Sequence, residues 1–174
     1  MTLMSAVRPQ RTIPAPPDKV YRAWLEPELI RRWLAPAGLE VTRAEVDERV
    51  GGRYRIWHTG AEGEVGGFEC ELLELVPSER IVLRWGFVGP DRLAGPTYDS
   101  LLTVTLRAAP DDSTELTLVH ERLDDLREAL PDIAEGVGPG WEMALDKLAT
   151  LAQEALSCLR GPARSTIDEA LRDD

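Results

Sequence analysis

The chain has 174 residues, with 20 Lys+Arg against 31 Asp+Glu and a formal net charge of -11. That balance argues against a nucleic-acid or anionic-membrane surface, since phosphates are held by clustered Lys and Arg, and the acidity itself reads as solubility. A 43% hydrophobic composition is that of a globular protein with enough chain to bury a sizeable core. Cys70 and Cys158 are the only cysteines, too few for a zinc site or a disulfide framework. The opening MTLMSAVRPQ lacks an apolar stretch of signal-peptide length, and no run approaches the roughly 20 apolar residues of a bilayer span. These features predict a cytoplasmic, reduced, soluble protein, without membrane insertion, metal or cofactor.

Residues 4–13 can hold a short first strand, which Pro9 confines to an edge or to the strand's beginning. Pro14-Ala15-Pro16-Pro17-Asp18 breaks it and suits a helix start, with Asp18 at the positive end of the first turn. Val20, Ala23 and Trp24 have helical spacing up to Glu26-Pro27; Leu29, Ile30 and Trp33 predict a second short helix, ended by Ala35-Pro36-Ala37-Gly38.

Strands follow. In Leu39–Asp47 the alternation of Leu39 and Val41 changes phase at Ala44 and Val46, as at a bulge. After Val50-Gly51-Gly52, the run from Arg53 to His58 alternates cleanly, and Thr59–Gly66 reads as a polar, Gly-rich hairpin loop. Apolar faces recur at Phe68, Cys70 and Leu72, then at Ile81, Leu83, Trp85 and Phe87 with Arg84 opposite. A loop spans Gly89–Gly95, and two more alternating runs carry Leu102, Val104 and Leu106, then Leu116, Leu118 and His120. About six to seven strands joined by hairpins predict an antiparallel meander. Asp124–Glu135 reads as partly helical and broken by Pro131, and the Gly136–Gly140 stretch as a flexible lead-in.

From Gly140 to Leu159, Trp141, Leu145, Leu148, Ala152, Ala155 and Leu159 recur in steps of four and three, one apolar stripe widened by Met143, Leu151 and Leu156. A stripe this wide requires a large apolar surface, so the sequence predicts a long C-terminal helix across a curved sheet. The expected organisation is one domain over residues 1–160, with a polar tail over 161–174.

This order, one strand, two short helices, six strands and a long helix, resembles the α+β helix-grip fold of the START-like (SRPBCC) superfamily. Within it the chain is similar to the activator of heat-shock protein 90 ATPase homologues. The resemblance is carried by Ala15 to Trp24 (APPDKVYRAW), Leu29 to Trp33, Val50 to Arg55 (VGGRYR), Leu75 to Trp85 (LVPSERIVLRW), Thr114–Glu121 and Gly140 to Leu148 (GWEMALDKL). It covers about residues 8 to 157, and its motifs mark fold positions rather than an activity. It implies a sheet curled around the C-terminal helix with an apolar cavity between them, which the superfamily uses for lipids, polyketides, plant hormones and other hydrophobic molecules. The family's eukaryotic activators carry a further N-terminal domain for their chaperone; this chain resembles only the single helix-grip unit, of the kind found in bacterial stress and metabolism proteins.

Five tryptophans against two phenylalanines suggest an aromatic-lined pocket, although each ring alone is better explained as core and only the group favours a cavity wall. Trp85 shares a strand face with Ile81, Leu83 and Phe87, Trp141 opens the long helix, and Trp33 lies on the second short helix beside the same opening. His120 falls on an inward phase, as does Tyr54, whose hydroxyl could reach the interior, while His58 shares the phase of Tyr54 and Ile56 at a strand end. Arg53, Arg55 and Arg84 read as outward, and Glu69 and Glu71 as a solvated pair without a partner. His-Glu-x-x-His, G-x-S-x-G and paired-Cys motifs are missing, and Gly136 to Gly140 lies outside any βαβ unit, so it is no dinucleotide loop.

The leading expectation is therefore a cavity that binds a small hydrophobic molecule, lined by Trp33, Tyr54, Trp85, His120 and Trp141, in a monomer or homodimer. Two other readings stay open: a polyketide cyclase- or aromatase-like catalyst using His58, Tyr54 or His120 as acid or base, and a module that docks on a chaperone.

Overall fold

The computed structural model describes residues 6–35 and 38–156. Seven antiparallel strands form one sheet in the order β1-β7-β6-β5-β4-β3-β2, with β1 (Gln10–Ile13) and β2 (Glu40–Val46) at its edges. Between them run β3 (Arg53–Gly60), β4 (Gly63–Val76), β5 (Arg80–Val88), β6 (Thr97–Ala109) and β7 (Ser113–Glu121). Two helices, α1 (Pro17–Leu25) and α2 (Pro27–Trp33), follow β1; α3 (Asp124–Ala129), α4 (Pro131–Glu135) and α5 (Val137–Leu151) follow β7, and a π turn over Ala152–Leu156 continues α5. The sheet curls around α5, the helix-grip arrangement. The tail over 161–174, residues 157–159 of the expected helix with Cys158, residues 4 and 5 of the expected first strand, and Pro36 and Ala37 lie outside the described residues.

Period-two alternation puts Tyr54, Ile56, Leu72, Ile81, Leu83, Trp85, Leu102, Val104, Leu116, Leu118 and His120 on the concave face, all completely buried. Helix α5 closes that face with Trp141, Leu145, Leu148 and Leu151, continued by Ala152 of the π turn. Arg11 of β1 fixes its position by pairing with Glu142 (2.7 Å) and Asp146 (2.9 Å), which stand one turn apart on the helix. On the other side Lys147 Nζ donates to the Ala35 carbonyl (2.8 Å). Met143, expected on the buried stripe, is exposed: it stands two residues from Trp141 and Leu145, off the face they share.

Two readings of backbone are corrected. Gly136–Gly140 is no flexible lead-in, because Val137 to Gly140 form the first turn of α5, with Gly140 N–H donating to Gly136 O (2.8 Å). Pro139 is tolerated there because the first amides of a helix have no intrahelical acceptor to lose. Thr59–Gly66 is mostly strand: β3 and β4 pair as far as Gly60 and Gly63, leaving only Ala61 and Glu62 in the turn. Pairing slips between His58↔Gly66 and Thr59↔Glu64, so Val65 is an extra residue in a bulge. Gly67 has φ +154, and a Cβ on it would lie 2.0 Å from the Ile56 carbonyl oxygen; only glycine allows so close an approach. The bulge expected in β2 is present between Val41 and Arg43.

On the convex face, Glu69 and Glu71 are partnered after all. Glu69 lies directly across from Arg55 and pairs with it at 2.9 Å, and Glu71 lies across from Arg84 at 3.5 Å. Arg92, from the loop between β5 and β6, donates to the carbonyls of Ile56 (2.8 Å) and Phe68 (2.6 Å) and to Glu69 (3.0 Å), with its guanidinium 4.2 Å from the centre of the Trp57 ring.

Candidate ligand cavity

Strand β3 passes under the corner between α1 and α2, and its inward side chains meet the ends of both helices. The last carbonyls of a helix have no intrahelical donor and need one from elsewhere. Tyr54 Oη donates to Trp24 O (2.7 Å) and Trp33 Nε1 donates to Ala23 O (3.0 Å), so two of the last carbonyls of α1 are satisfied by side chains. Burial holds the Tyr54 phenol well above its usual range, so it stays protonated as this bond requires. His58 Nε2 bonds Leu34 O at the end of α2 (3.0 Å). A carbonyl only accepts, so His58 carries its proton on Nε2 and presents Nδ1 as a bare lone pair. Burial, and the charges of Arg92 and Lys147 against the opposing pull of the Leu34 bond, hold its pKa below the ordinary histidine value.

His120 is equally determined. The Trp141 indole N–H can only donate, and it donates to His120 Nδ1 (2.9 Å). The proton therefore sits on Nε2 and is given to Ser100 Oγ (2.7 Å), whose own hydrogen goes to Trp85 O (2.8 Å). This chain of bonds ties the N-terminal part of α5 to β7, β6 and β5. Burial pushes His120 down to about 3, so it is neutral across the physiological range, and Phe87 stacks on it at 5.7 Å and 6°.

In front of this chain lies a cavity of about 550 Å³, within the range of small-molecule sites. Its sheet side is Phe68, Trp85, Phe87, Tyr98 and His58; its helix side is Gly136, Val137, Gly140, Trp141 and Ala144. Leu34, Leu39, Val65, Leu130 and Ile133 add to the wall, and none of the lining residues is charged. Val65, Leu130 and Ile133 are also exposed, which places them at the mouth. Gly136, which caps the helix, Gly140 and Ala144 follow one another at steps of four, so only backbone and one methyl group face the space there.

Of the five residues expected to form the wall, Trp85 and Trp141 line the cavity, and their rings stand 5.5 Å apart. His120 lies behind them, bonded to one and beneath the other. Tyr54 and Trp33 are further back, engaged with α1; Trp33 borders instead a separate polar cleft with Glu28, Arg31, Arg32 and Lys147. Phe68, Tyr98 and the small residues of α5 were not singled out from sequence. Phe68 was detectable, since it shares the inward phase of Cys70 and faces Phe87 across the ladder, and the spacing Gly136, Gly140, Ala144 is itself a helical period. Trp85 Nε1 and Trp24 Nε1 are buried donors without an acceptor among the described residues. No group of three His, Cys, Asp or Glu side chains is placed to hold a metal ion among the described residues, and no helix there is long and apolar enough to cross a membrane.

The model of the family described as Activator of Hsp90 ATPase homolog 1-like protein matches residues 14–153. The chain belongs to this family. Among solved structures, protein CV1439 from Chromobacterium violaceum is 34% identical, with 84% of this chain and 96% of that one covered and a TM-score of 0.69. Protein Ms6760 from Mycobacterium smegmatis shares the fold at 21% identity, covering 87% and 92% of the two chains with a TM-score of 0.71. DynU16, a protein in the dynemicin biosynthetic locus, also shares it, at 21% identity and a TM-score of 0.62; the match covers 86% of this chain and 48% of that one. No curated protein matches the chain. The matched region runs from the proline turn before α1 to the π turn after α5, so it includes every element that surrounds the cavity.

Proposed function

We propose that this protein binds a small hydrophobic molecule in the cavity between the sheet and α5. The observation that carries the reading is a space of about 550 Å³ walled by the aromatic rings of Phe68, Trp85, Phe87, Tyr98 and Trp141 from the sheet and α5, with no charged lining residue. A space of this size and chemistry favours an apolar occupant through area removed from water. The catalytic alternative draws less support. Tyr54, His58 and His120 each spend a polar atom on structural bonds; burial holds His120 down to about 3, far from neutrality where acid–base work is most effective, and holds His58 below the ordinary histidine value.

The reading is tested by native mass spectrometry of the protein after incubation with a lipid and metabolite extract, beside Gly140→Leu. A Cβ at Gly140 meets nothing within 4 Å, so the leucine enters the cavity without disturbing the backbone. A discrete adduct on the parent protein that is lost from the variant is expected. An adduct of equal intensity on both, or none from any extract, would sink the proposal.

A further inference from the structure

Resting on the binding reading above, we infer that the ligand is uncharged and carries a hydroxyl group, phenolic or alcoholic, whose proton is accepted by His58 Nδ1. The lining has no Lys, Arg, Asp or Glu, so a carboxylate or ammonium group would be stripped of water with no opposite charge to meet it. Polar side-chain atoms on the wall belong to His58, Trp85, Tyr98 and Trp141. The Trp141 N–H is committed to His120, and the Trp85 N–H is sealed in the wall rather than open to the space. The Tyr98 hydroxyl can donate or accept, so it selects for neither. His58 is different. Its Nε2–H is committed to Leu34 O, which leaves Nδ1 able only to accept.

Nδ1 has no hydrogen-bond partner among the described residues, yet it is not sealed. The enclosed and partnerless polar side-chain atoms there are the indole nitrogens of Trp24 and Trp85. His58 itself is 4% exposed and lines the cavity, with Phe68 set edge-on against its ring at 5.1 Å. A lone pair so placed rewards a ligand that brings a proton and gives nothing to an ether or a hydrocarbon of the same shape.

Three probes of one size separate the cases: 2-naphthol, 2-methoxynaphthalene and 2-naphthoate, measured by equilibrium dialysis against the full chain at pH 7. Naphthol should bind about five- to tenfold more tightly than the methyl ether, as one net hydrogen bond provides. Naphthoate should bind weakest. In His58→Phe the naphthol preference should fall to about one while the ether still binds, and in His58→Gln, whose amide can both donate to Leu34 O and accept from the ligand, the preference should persist. Equal affinity for naphthol and ether, a preference unchanged in His58→Phe, or naphthoate binding tightest would overturn the hydroxyl assignment while leaving a binding cavity. Binding of none of the three would remove the cavity reading as well.

Discussion

Replacing His120 with leucine isolates the bond chain behind the cavity, and it does so through pH. At pH 7 the variant leaves the Trp141 N–H without its acceptor, a buried unsatisfied donor that costs about 1–3 kcal/mol, while Ser100 keeps its bond to Trp85 O. The variant should therefore be less stable than the parent by about 2 kcal/mol there. In the parent, folded His120 holds off protonation down to about 3, whereas the unfolded chain takes up the proton near the ordinary histidine value of about 6.5. A depressed folded pKa gives stability that is whole above the unfolded value and is lost as pH falls towards the folded one. Each pH unit in that window removes about 1.4 kcal/mol, so lowering the pH from 7 to 5 costs the parent about 2 kcal/mol that the leucine variant does not lose. His58, also depressed, titrates in both proteins and cancels. Urea unfolding followed by tryptophan fluorescence should show a gap of about 2 kcal/mol at pH 7 closing to near zero at pH 5. A gap of the same size at both pH values would refute the neutral, doubly bonded His120.

Gly67→Ala drives a Cβ against the Ile56 carbonyl, whereas Gly63→Ala, also at positive φ, meets nothing within 4 Å. The first should be destabilised by clearly more than about 1 kcal/mol and the second by less; equal losses in a urea titration would count against the tight bulge. Arg92→Leu removes two carbonyl bonds and one carboxylate bond from a guanidinium that is 8% exposed. A loss of about 2 kcal/mol is expected, read as a melting temperature lower by roughly 4–8 °C. A change under about 1 °C would mean that the arginine merely rests on Trp57.

The fold was legible because its signals are periodic. Strand alternation around Tyr54, Trp85, Val104 and His120 needs no knowledge of partners, and the proline breaks before α1 and α2 act within a few residues. Of the expected wall, the cavity was legible only through Trp85 and Trp141, while His58 was reached through the catalytic alternative. Whether an inward side chain faces empty space or a helix end depends on what lies across the sheet, and no spacing states that Tyr54 will find Trp24 O or that Trp33 will find Ala23 O. The same gap explains Glu69 and Glu71, whose partners Arg55 and Arg84 are set by strand register. Gly136 to Gly140 misled for another reason: glycine and proline are poor helix formers in isolation, and packing of Val137 and Trp141 against the core outweighs that local preference.

The two sides of the cavity are fastened by different forces. On one, Tyr54, Trp33, His58 and Lys147 hold the α1–α2 corner by directional bonds to backbone carbonyls. On the other, the segment from Arg122 to Gly136 makes no side-chain hydrogen bond or salt bridge among the described residues and is seated by Leu123, Leu126 and Ala134. Apolar contact has no preferred direction. The α3–α4 side can therefore slide and reseat without stranding a polar group, whereas the α1–α2 side cannot move without orphaning several. The molecule is built like a hinged box with one wall bolted and one held by grease, and its mouth lies along the second.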